Sequence, residues 1–218
     1  MLQPKEMFDP RQRSTLSALV PWTLLALVWA LFCWFVIFAW QPLNFWLLMS
    51  LAQLSFSSIA FALRGHFLHL PIRPGDIALG IVSAALLYGV FELGNWIAPF
   101  LIPNAHGQVG NIYGLKSHLS PVVLAPLLLL VIGPSEEIFW RGLVQTTLSA
   151  RWGKNTGFVV TNAVYGLIHL ISGNIMLVLA ALVAGFFWGF MYRWLGRLWP
   201  NLFSHALWDM FVMALFPI

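Results

Sequence analysis

The stretch GPSEEIFWRG, residues 133–142, places three ionisable side chains inside an apolar run. The sequence PVVLAPLLLLVI comes directly before it and LVQTTL directly after it. On membrane-insertion scales a charged side chain at the centre of a bilayer costs about 2.5–3.5 kcal/mol. Glu136, Glu137 and Arg141 therefore need partners or a task, and ionisable residues inside a membrane segment indicate a functional site by default.

The composition of the whole chain is that of a membrane protein. Its 218 residues are 60% hydrophobic and only 8% charged, whereas a soluble domain is about 25% charged. Because a helix needs roughly 20 apolar residues to cross a bilayer, the sequence predicts an all-α, polytopic transmembrane helix bundle of about seven spans, within a range of six to eight. The predicted spans are 19–41, 43–63, 77–102, 121–149, 156–172, 175–195 and 199–217. We expect residues 1–218 to form one transmembrane domain, with a motif-bearing core at about 121–210.

Basic residues predict how the bundle is oriented. In a seven-span arrangement, Lys116 falls in a loop on one side and most other basic residues fall on the opposite side. The residues on that opposite side are Lys5, Arg11, Arg13, Arg64, Arg73, Arg151, Lys154, Arg193 and Arg197. The positive-inside rule makes their side, and the N-terminus, cytoplasmic. These residues form no cluster with interleaved aromatics, so no nucleic-acid partner is predicted. The expected location is integral to a membrane, the cytoplasmic membrane if the source is bacterial.

Helical geometry predicts different surroundings for the two neighbouring glutamates. Glu137 and Arg141 are four residues apart, so they share a helix face and can pair. Glu136 is rotated by about 100° from Glu137 and should face elsewhere. We expect Gly133 and Pro134 to interrupt the helix, which would place Glu136 in the first turn of a second helical piece, where exposed N–H groups favour an anion. A purely structural Glu–Arg clamp between helices is the alternative.

Two later segments each carry a polar pair at helical spacing. Tyr165 and His169 are four residues apart in NAVYGLIHL, and His205 and Asp209 are four residues apart in FSHALWDM. Each pair therefore projects from one face of its helix. Counted from the predicted cytoplasmic ends of their segments, Glu136 and His169 lie at a similar depth, Asp209 is shallower, and His205 is shallower still. We expect them to converge on one site, although a lone histidine such as His169 can also be a hydrogen-bonded core residue.

The three motifs resemble those of the CPBP family, the type II CAAX-prenyl-endopeptidase and bacteriocin-processing group of intramembrane proteases. The pattern of that family is EExxxR, then an aromatic residue followed by xxxH, then Hxxx(Asn/Asp), each on its own transmembrane helix. The matching residues occur here in the same order. They are Glu136, Glu137, Arg141, Tyr165, His169, His205 and Asp209.

The resemblance implies a glutamate-type intramembrane endopeptidase. Glu136 with His169 would activate a water as general base, and His205 with Asp209 would stabilise the oxyanion. Asp209 stands where the members that process farnesylated proteins have Asn. An ionised carboxylate cannot donate to an oxyanion, so Asp209 would have to be protonated or to orient His205. The implied partner is a protein or peptide substrate, either lipidated or carrying a hydrophobic C-terminal segment, together with membrane lipid.

The remaining motif residues are carried over as structural. Arg141 would hold Glu137, in agreement with the pairing that helical spacing predicts. Tyr165 stands where phenylalanine is usual, and we give its additional hydroxyl little weight. Gly185 and Gly189 form a small-xxx-small pair that predicts close helix packing.

Other functions compete with this interpretation. The sequence has no HExxH, GxGD or GxSG motif, which disfavours the zinc, aspartyl and rhomboid types of intramembrane protease. No cofactor is predicted, but Glu136, His169 and His205 would be a chemically reasonable zinc set, and zinc is kept as a minor alternative. A proton-coupled transporter using Glu92 in a relay, and a non-catalytic immunity or scaffold protein, are the alternatives outside proteolysis. His66 and His69 are interpreted as surface polar residues.

Overall fold

The computed structural model describes residues 8–65, 71–115 and 119–218, and within these ranges the regular structure is entirely helical. Lys5, His66, His69 and Lys116, which the sequence analysis interpreted, lie outside the described residues. The all-α fold class predicted from composition is confirmed.

Helices follow one another along the described chain with short connections. They are α1 (Pro10–Ala18), α2 (Val20–Trp40), α3 (Phe45–Arg64), α4 (Pro74–Leu101), α5 (Ala105–Gly114), α6 (Pro121–Trp152), α7 (Lys154–Leu167), α8 (Ile175–Leu195) and α9 (Trp199–Asp209). A 3₁₀ turn, Ile168–Ser172, extends α7. A π-helical turn, Met210–Leu215, extends α9.

Five of these helices are long and apolar enough to cross a membrane: α2, α3, α4, α6 and α8. The chain is therefore an integral, polytopic membrane protein. The two other predicted spans correspond to α7, with 14 residues, and α9, with 11 residues, each lengthened by its extra turn. Whether these two helices also cross the membrane, and which side is cytoplasmic, stay predictions.

The break predicted at Gly133 and Pro134 is absent, and α6 is continuous through them. Its hydrogen-bonding pattern widens into π-helical turns on either side, at Leu128–Ile132 and at Ile138–Gln145. Such wide turns absorb the backbone group that proline cannot bond, and they are frequent at functional sites. Glu136 consequently lies within a continuous helix, so the expected exposed N-terminal turn beneath it was a wrong prediction.

Glycines allow the site-bearing helices to approach one another closely. A Cβ atom on Gly133 would lie 2.9 Å from the Cα of Ala206, which sets α6 directly against α9. A Cβ on Gly185 would lie 2.6 Å from the Tyr165 ring, and one on Gly189 would lie 2.2 Å from the Asn162 side chain. The small-xxx-small pair of α8 thus packs against α7, as predicted.

Several of the basic residues assigned to one side are bonded to residues at the ends of neighbouring helices. The Arg13 side chain donates to the backbone oxygen of Ala150, 3.1 Å away. Arg193, near the end of α8, donates to Asn155 near the start of α7. Arg197 forms an ion pair with Asp76 at the start of α4. These contacts place the ends of α6 and α8 and the starts of α4 and α7 beside basic side chains.

Candidate active site

The fold brings residues of all three motifs to one cavity of about 520 Å³. Its lining is mostly apolar and includes Glu136, Tyr165, His169, His205 and Asp209. Exposed apolar residues form one rim, with Val90, Ile97 and Leu101 on α4 and Leu179 and Val183 on α8. The cavity therefore opens sideways between two membrane-spanning helices.

Glu136 is held by two uncharged donors from two other helices. The Gln53 amide on α3 donates to Oε1 at 2.8 Å, and the Tyr165 hydroxyl on α7 donates to Oε2 at 2.8 Å. The side chain is 6% exposed, at the wall of the cavity. Each carboxylate oxygen thus has a fixed direction, and no cation is bonded to either of them among the described residues. The Tyr165 hydroxyl, given little weight from sequence, is in direct contact with the proposed base.

His169 lies at the junction between α7 and its 3₁₀ extension. Its Nδ1 is 2.8 Å from the backbone oxygen of Tyr165. Because a carbonyl oxygen only accepts, Nδ1 carries the hydrogen and the lone pair of the neutral ring is on Nε2. The edge of the ring packs against Trp34, with centroids 5.4 Å apart at an interplanar angle of 83°. The imidazole is therefore fixed in orientation and in tautomer.

Glu137 is fully buried and accepts hydrogen bonds from three side chains. Arg141 donates to Oε1 at 2.9 Å, as predicted from the helical spacing. His205 Nδ1 is 2.8 Å from the same oxygen, and the Asn201 amide donates to Oε2 at 3.0 Å. Two of these three donors come from α9, so Glu137 ties α6 to the helix that carries the third motif.

Arg141 extends the same network to two more helices. One of its terminal nitrogens donates to the Gly185 backbone oxygen of α8 at 2.8 Å and to the Asn162 side chain of α7 at 3.2 Å. Its guanidinium also lies 5.0 Å from the centroid of the Tyr165 ring, a cation–π contact. A single buried ion pair thereby connects α6, α7, α8 and α9.

His205 lies between two carboxylates. Its Nδ1 faces Glu137, and its Nε2 is 3.4 Å from Asp209 Oδ2. The ring stacks on Trp188, with centroids 3.6 Å apart and an interplanar angle of 16°. A carboxylate beside each nitrogen favours a hydrogen on both nitrogens. This arrangement supports the second role considered for Asp209, that of orienting His205.

The residues of the minor zinc alternative do not form a metal-binding group. Within the described part of the chain, no three His, Cys, Asp or Glu side chains are grouped closely enough to hold a metal ion. His205 in particular has a carboxylate oxygen beside each ring nitrogen, so neither nitrogen presents a lone pair to a metal. As the described residues are arranged, Glu136, His169 and His205 are not grouped around a common metal position.

Some functional neighbours were missed by the sequence analysis, and one residue it named lies elsewhere. Gln53, Asn201 and Trp188 contact the motif residues but belong to no motif pattern, and helical spacing within one segment cannot predict contacts between segments. Glu92 does not line the cavity and lies in a separate outer groove with His106. The relay considered under the transporter alternative is thus not connected from Glu92 to the motif residues by this cavity.

Comparison with known proteins agrees with the motif-based resemblance. Residues 118–211 match the family model described as Rce1-like, type II CAAX prenyl endopeptidase Rce1-like. No curated protein and no solved structure matches the chain. The matched segment begins just before α6 and ends just after Asp209, so it contains all seven motif residues. The resemblance to the type II CAAX prenyl endopeptidases is therefore confirmed for residues 118–211, the segment that the family model matches.

Proposed function

We propose that the protein is an intramembrane endopeptidase in which Glu136 and His169 activate a water molecule without a metal. The observation that supports this most strongly is the state of Glu136. It is a buried carboxylate on the wall of an apolar cavity, fixed by two neutral donors and bonded to no cation among the described residues. A carboxylate held in this way keeps lone pairs available for a proton from water.

The proposed reaction is an ordinary peptide hydrolysis. Glu136, assisted by the lone pair on His169 Nε2, takes one proton from the water as the oxygen attacks the scissile carbonyl carbon. The C=O π electrons move to oxygen and give a tetrahedral oxyanion. When the C–N bond breaks, the proton is returned to the departing nitrogen, and the products are a carboxylic acid and an amine.

His205 is the proposed donor to the oxyanion. Its Nδ1–H is anchored by Glu137, so the ring cannot rotate freely. Its Nε2 contact with Asp209 is long, 3.4 Å, so the Nε2–H is only weakly held there and can be shared with a developing negative charge on a substrate beside it. Asp209 acts as the acceptor that holds Nε2–H in position before the substrate arrives.

The proposed substrate is a membrane-associated polypeptide, either lipidated or ending in a hydrophobic segment. The apolar cavity and its opening between α4 and α8 suit an apolar group that arrives from the bilayer. The match of residues 118–211 to the type II CAAX prenyl endopeptidases points in the same direction.

Comparison of C-terminal peptides from membranes that contain the natural protein or Glu136→Gln tests the proposal. We expect specific shortened C-termini to disappear in the variant, with the protein inserted and folded normally. Glu92→Gln makes the same chemical change in the outer groove and serves as the matched control. Retained processing in Glu136→Gln would overturn the assignment of Glu136 as the base.

A further inference from the structure

Among the described residues, Gln53 is the hydrogen-bond partner of Glu136 that comes from outside the segment matched by the family. It lies in the middle of α3 and is fully buried. Its amide nitrogen is 2.8 Å from Glu136 Oε1 and 3.5 Å from the Met49 sulfur. Nothing in the three motifs requires an amide at this position. The contact with Glu136 is what indicates its role.

The other half of the same amide has no partner. Gln53 Oε1 is buried and has no hydrogen bond to any residue that the structure describes. An unsatisfied buried acceptor typically destabilises a protein by about 1–3 kcal/mol. An amide is an unusual choice for a purely structural contact here, because only one of its two hydrogen-bonding groups is used.

Both halves of the amide become useful if Glu136 changes its protonation state. A carboxylate needs a donor, which the amide N–H supplies. A carboxylic acid presents a hydrogen of its own and needs an acceptor, which the amide oxygen supplies after the side chain rotates by half a turn. The two orientations occupy nearly the same volume, so the exchange requires little repacking.

We propose that Gln53 is a positioning residue for Glu136, one that bonds to it both before and after it takes the proton from water. This inference rests on the proposed function, because it assumes that Glu136 is the base. Gln53 and Tyr165 fix opposite oxygens of one carboxylate. Gln53 therefore governs the rate of the chemical step and not the binding of substrate.

The test measures kcat and KM separately in purified, reconstituted protein. The probe is a quenched-fluorescence peptide that ends in a farnesylated cysteine and three further residues, with an unmodified transmembrane peptide as the second probe. Gln53→Met keeps the approximate size of the side chain and removes the amide. We expect kcat to fall by about 10²-fold, the effect of a misplacement near 1 Å, with KM unchanged within about twofold.

Ser57→Ala is the matched control for packing between α3 and α6. Ser57 lies one turn from Gln53 on the same helix, is buried, and its hydroxyl is 3.4 Å from the Ser135 hydroxyl of α6. Its hydroxyl donates to the backbone oxygens of Gln53 and Leu54 and not to the Glu136 carboxylate. We expect Ser57→Ala to keep its kcat. If the role of Gln53 were limited to packing, Ser57→Ala and Gln53→Met would show similar losses of thermal stability, and both would keep their kcat.

Coupling with Tyr165 distinguishes positioning from a general structural effect. In Gln53→Met/Tyr165→Phe the carboxylate is already displaced by the first change, so the fall in kcat should be smaller than the product of the two single falls. Multiplicative losses, or a Gln53→Met kcat within twofold of the natural protein, would overturn the inference.

Two further variants keep the outcome interpretable. If Gln53→Met does not fold, Gln53→Asn retains an amide on a shorter side chain that cannot reach Glu136, and it should lose kcat to the same degree. Retained kcat in Gln53→Asn contradicts the positioning role. Glu136→Gln is run in the same assay. Activity in Glu136→Gln would refute the proposed function, whereas an inactive Glu136→Gln beside a fully active Gln53→Met refutes only the role of Gln53.

Discussion

Glu136 and Glu137 are neighbours on one helix, yet their surroundings differ in nearly every respect. Glu137 is bonded to Arg141, His205 and Asn201, and it is fully buried behind the cavity. Glu136 lies on the cavity wall, and its partners among the residues that the structure describes are the neutral donors Gln53 and Tyr165. The chain thus builds two regions about one helix, a charged hub centred on Glu137 and a reactive wall centred on Glu136.

The difference supports the proposal that Glu136, and not Glu137, is the carboxylate available for chemistry. A cation bonded to an acid favours its charged form and occupies its lone pairs. In the hub, Arg141 holds four helices together. On the wall, the neutral donors only fix the orientation of the Glu136 carboxylate. Changes in the hub should therefore affect folding, and changes in the wall should affect turnover.

The largest effect is expected from Arg141→Ala. It leaves Glu137 with a buried, poorly compensated charge and removes the donors to Asn162 and the Gly185 backbone. Breaking a buried pair from one side typically costs about 3–5 kcal/mol. We expect little folded protein in detergent, measured by thermal unfolding and by yield. Arg11→Ala, at an exposed position, is the control. Equal stability of the two variants would contradict the stabilising role of Arg141 in the hub.

His169→Ala should lower the activity strongly. Its loss of stability should be much smaller than that of Arg141→Ala. General-base assistance contributes typically about 10²–10⁴-fold, and we expect a fall in kcat/KM of that size. The assay is cleavage of the quenched-fluorescence peptide, with thermal unfolding measured in parallel. His106→Ala, in the outer groove, is the control. A stability loss as large as that of Arg141→Ala would mean that His169 belongs to the hub.

Tyr165→Phe should have a smaller effect, about tenfold in kcat, because one hydrogen bond to Glu136 is lost and the ring that packs on α8 is kept. Tyr192→Phe removes another buried hydroxyl, which is 2.8 Å from the Thr146 hydroxyl and does not contact Glu136. The two variants should have similar unfolding temperatures, and only Tyr165→Phe should turn over slowly. Equal kcat values in the two variants would show that the Tyr165 hydroxyl does not help to position Glu136.

The smallest effect is expected from a membrane-permeant zinc chelator. Since His205 is bonded through both nitrogens to carboxylates, we expect peptide cleavage and thermal stability to be unchanged after chelation. A loss of cleavage that added zinc reverses would show that the wall rearranges into a metal site.

Contacts within one helix were predictable from the sequence, whereas contacts between helices were not. The spacing of Glu137 and Arg141 predicts their pairing directly, and the composition predicts an all-helical membrane fold. The placement of Gln53 beside Glu136 depends on how α3 packs against α6. The spacing of residues within one helix does not predict that packing. The continuous path of α6 through Pro134 was missed for a related reason, because the local effect of a proline is set by whether neighbouring turns can widen.

The sideways opening between α4 and α8 affects how the activity should be measured. A substrate that reaches the cavity from within the bilayer is presented at its mole fraction in lipid, not at its concentration in the aqueous phase. Adding protein-free lipid at constant total peptide should therefore slow cleavage by surface dilution. Michaelis constants for this protein acquire a physical meaning only when they are expressed per lipid molecule.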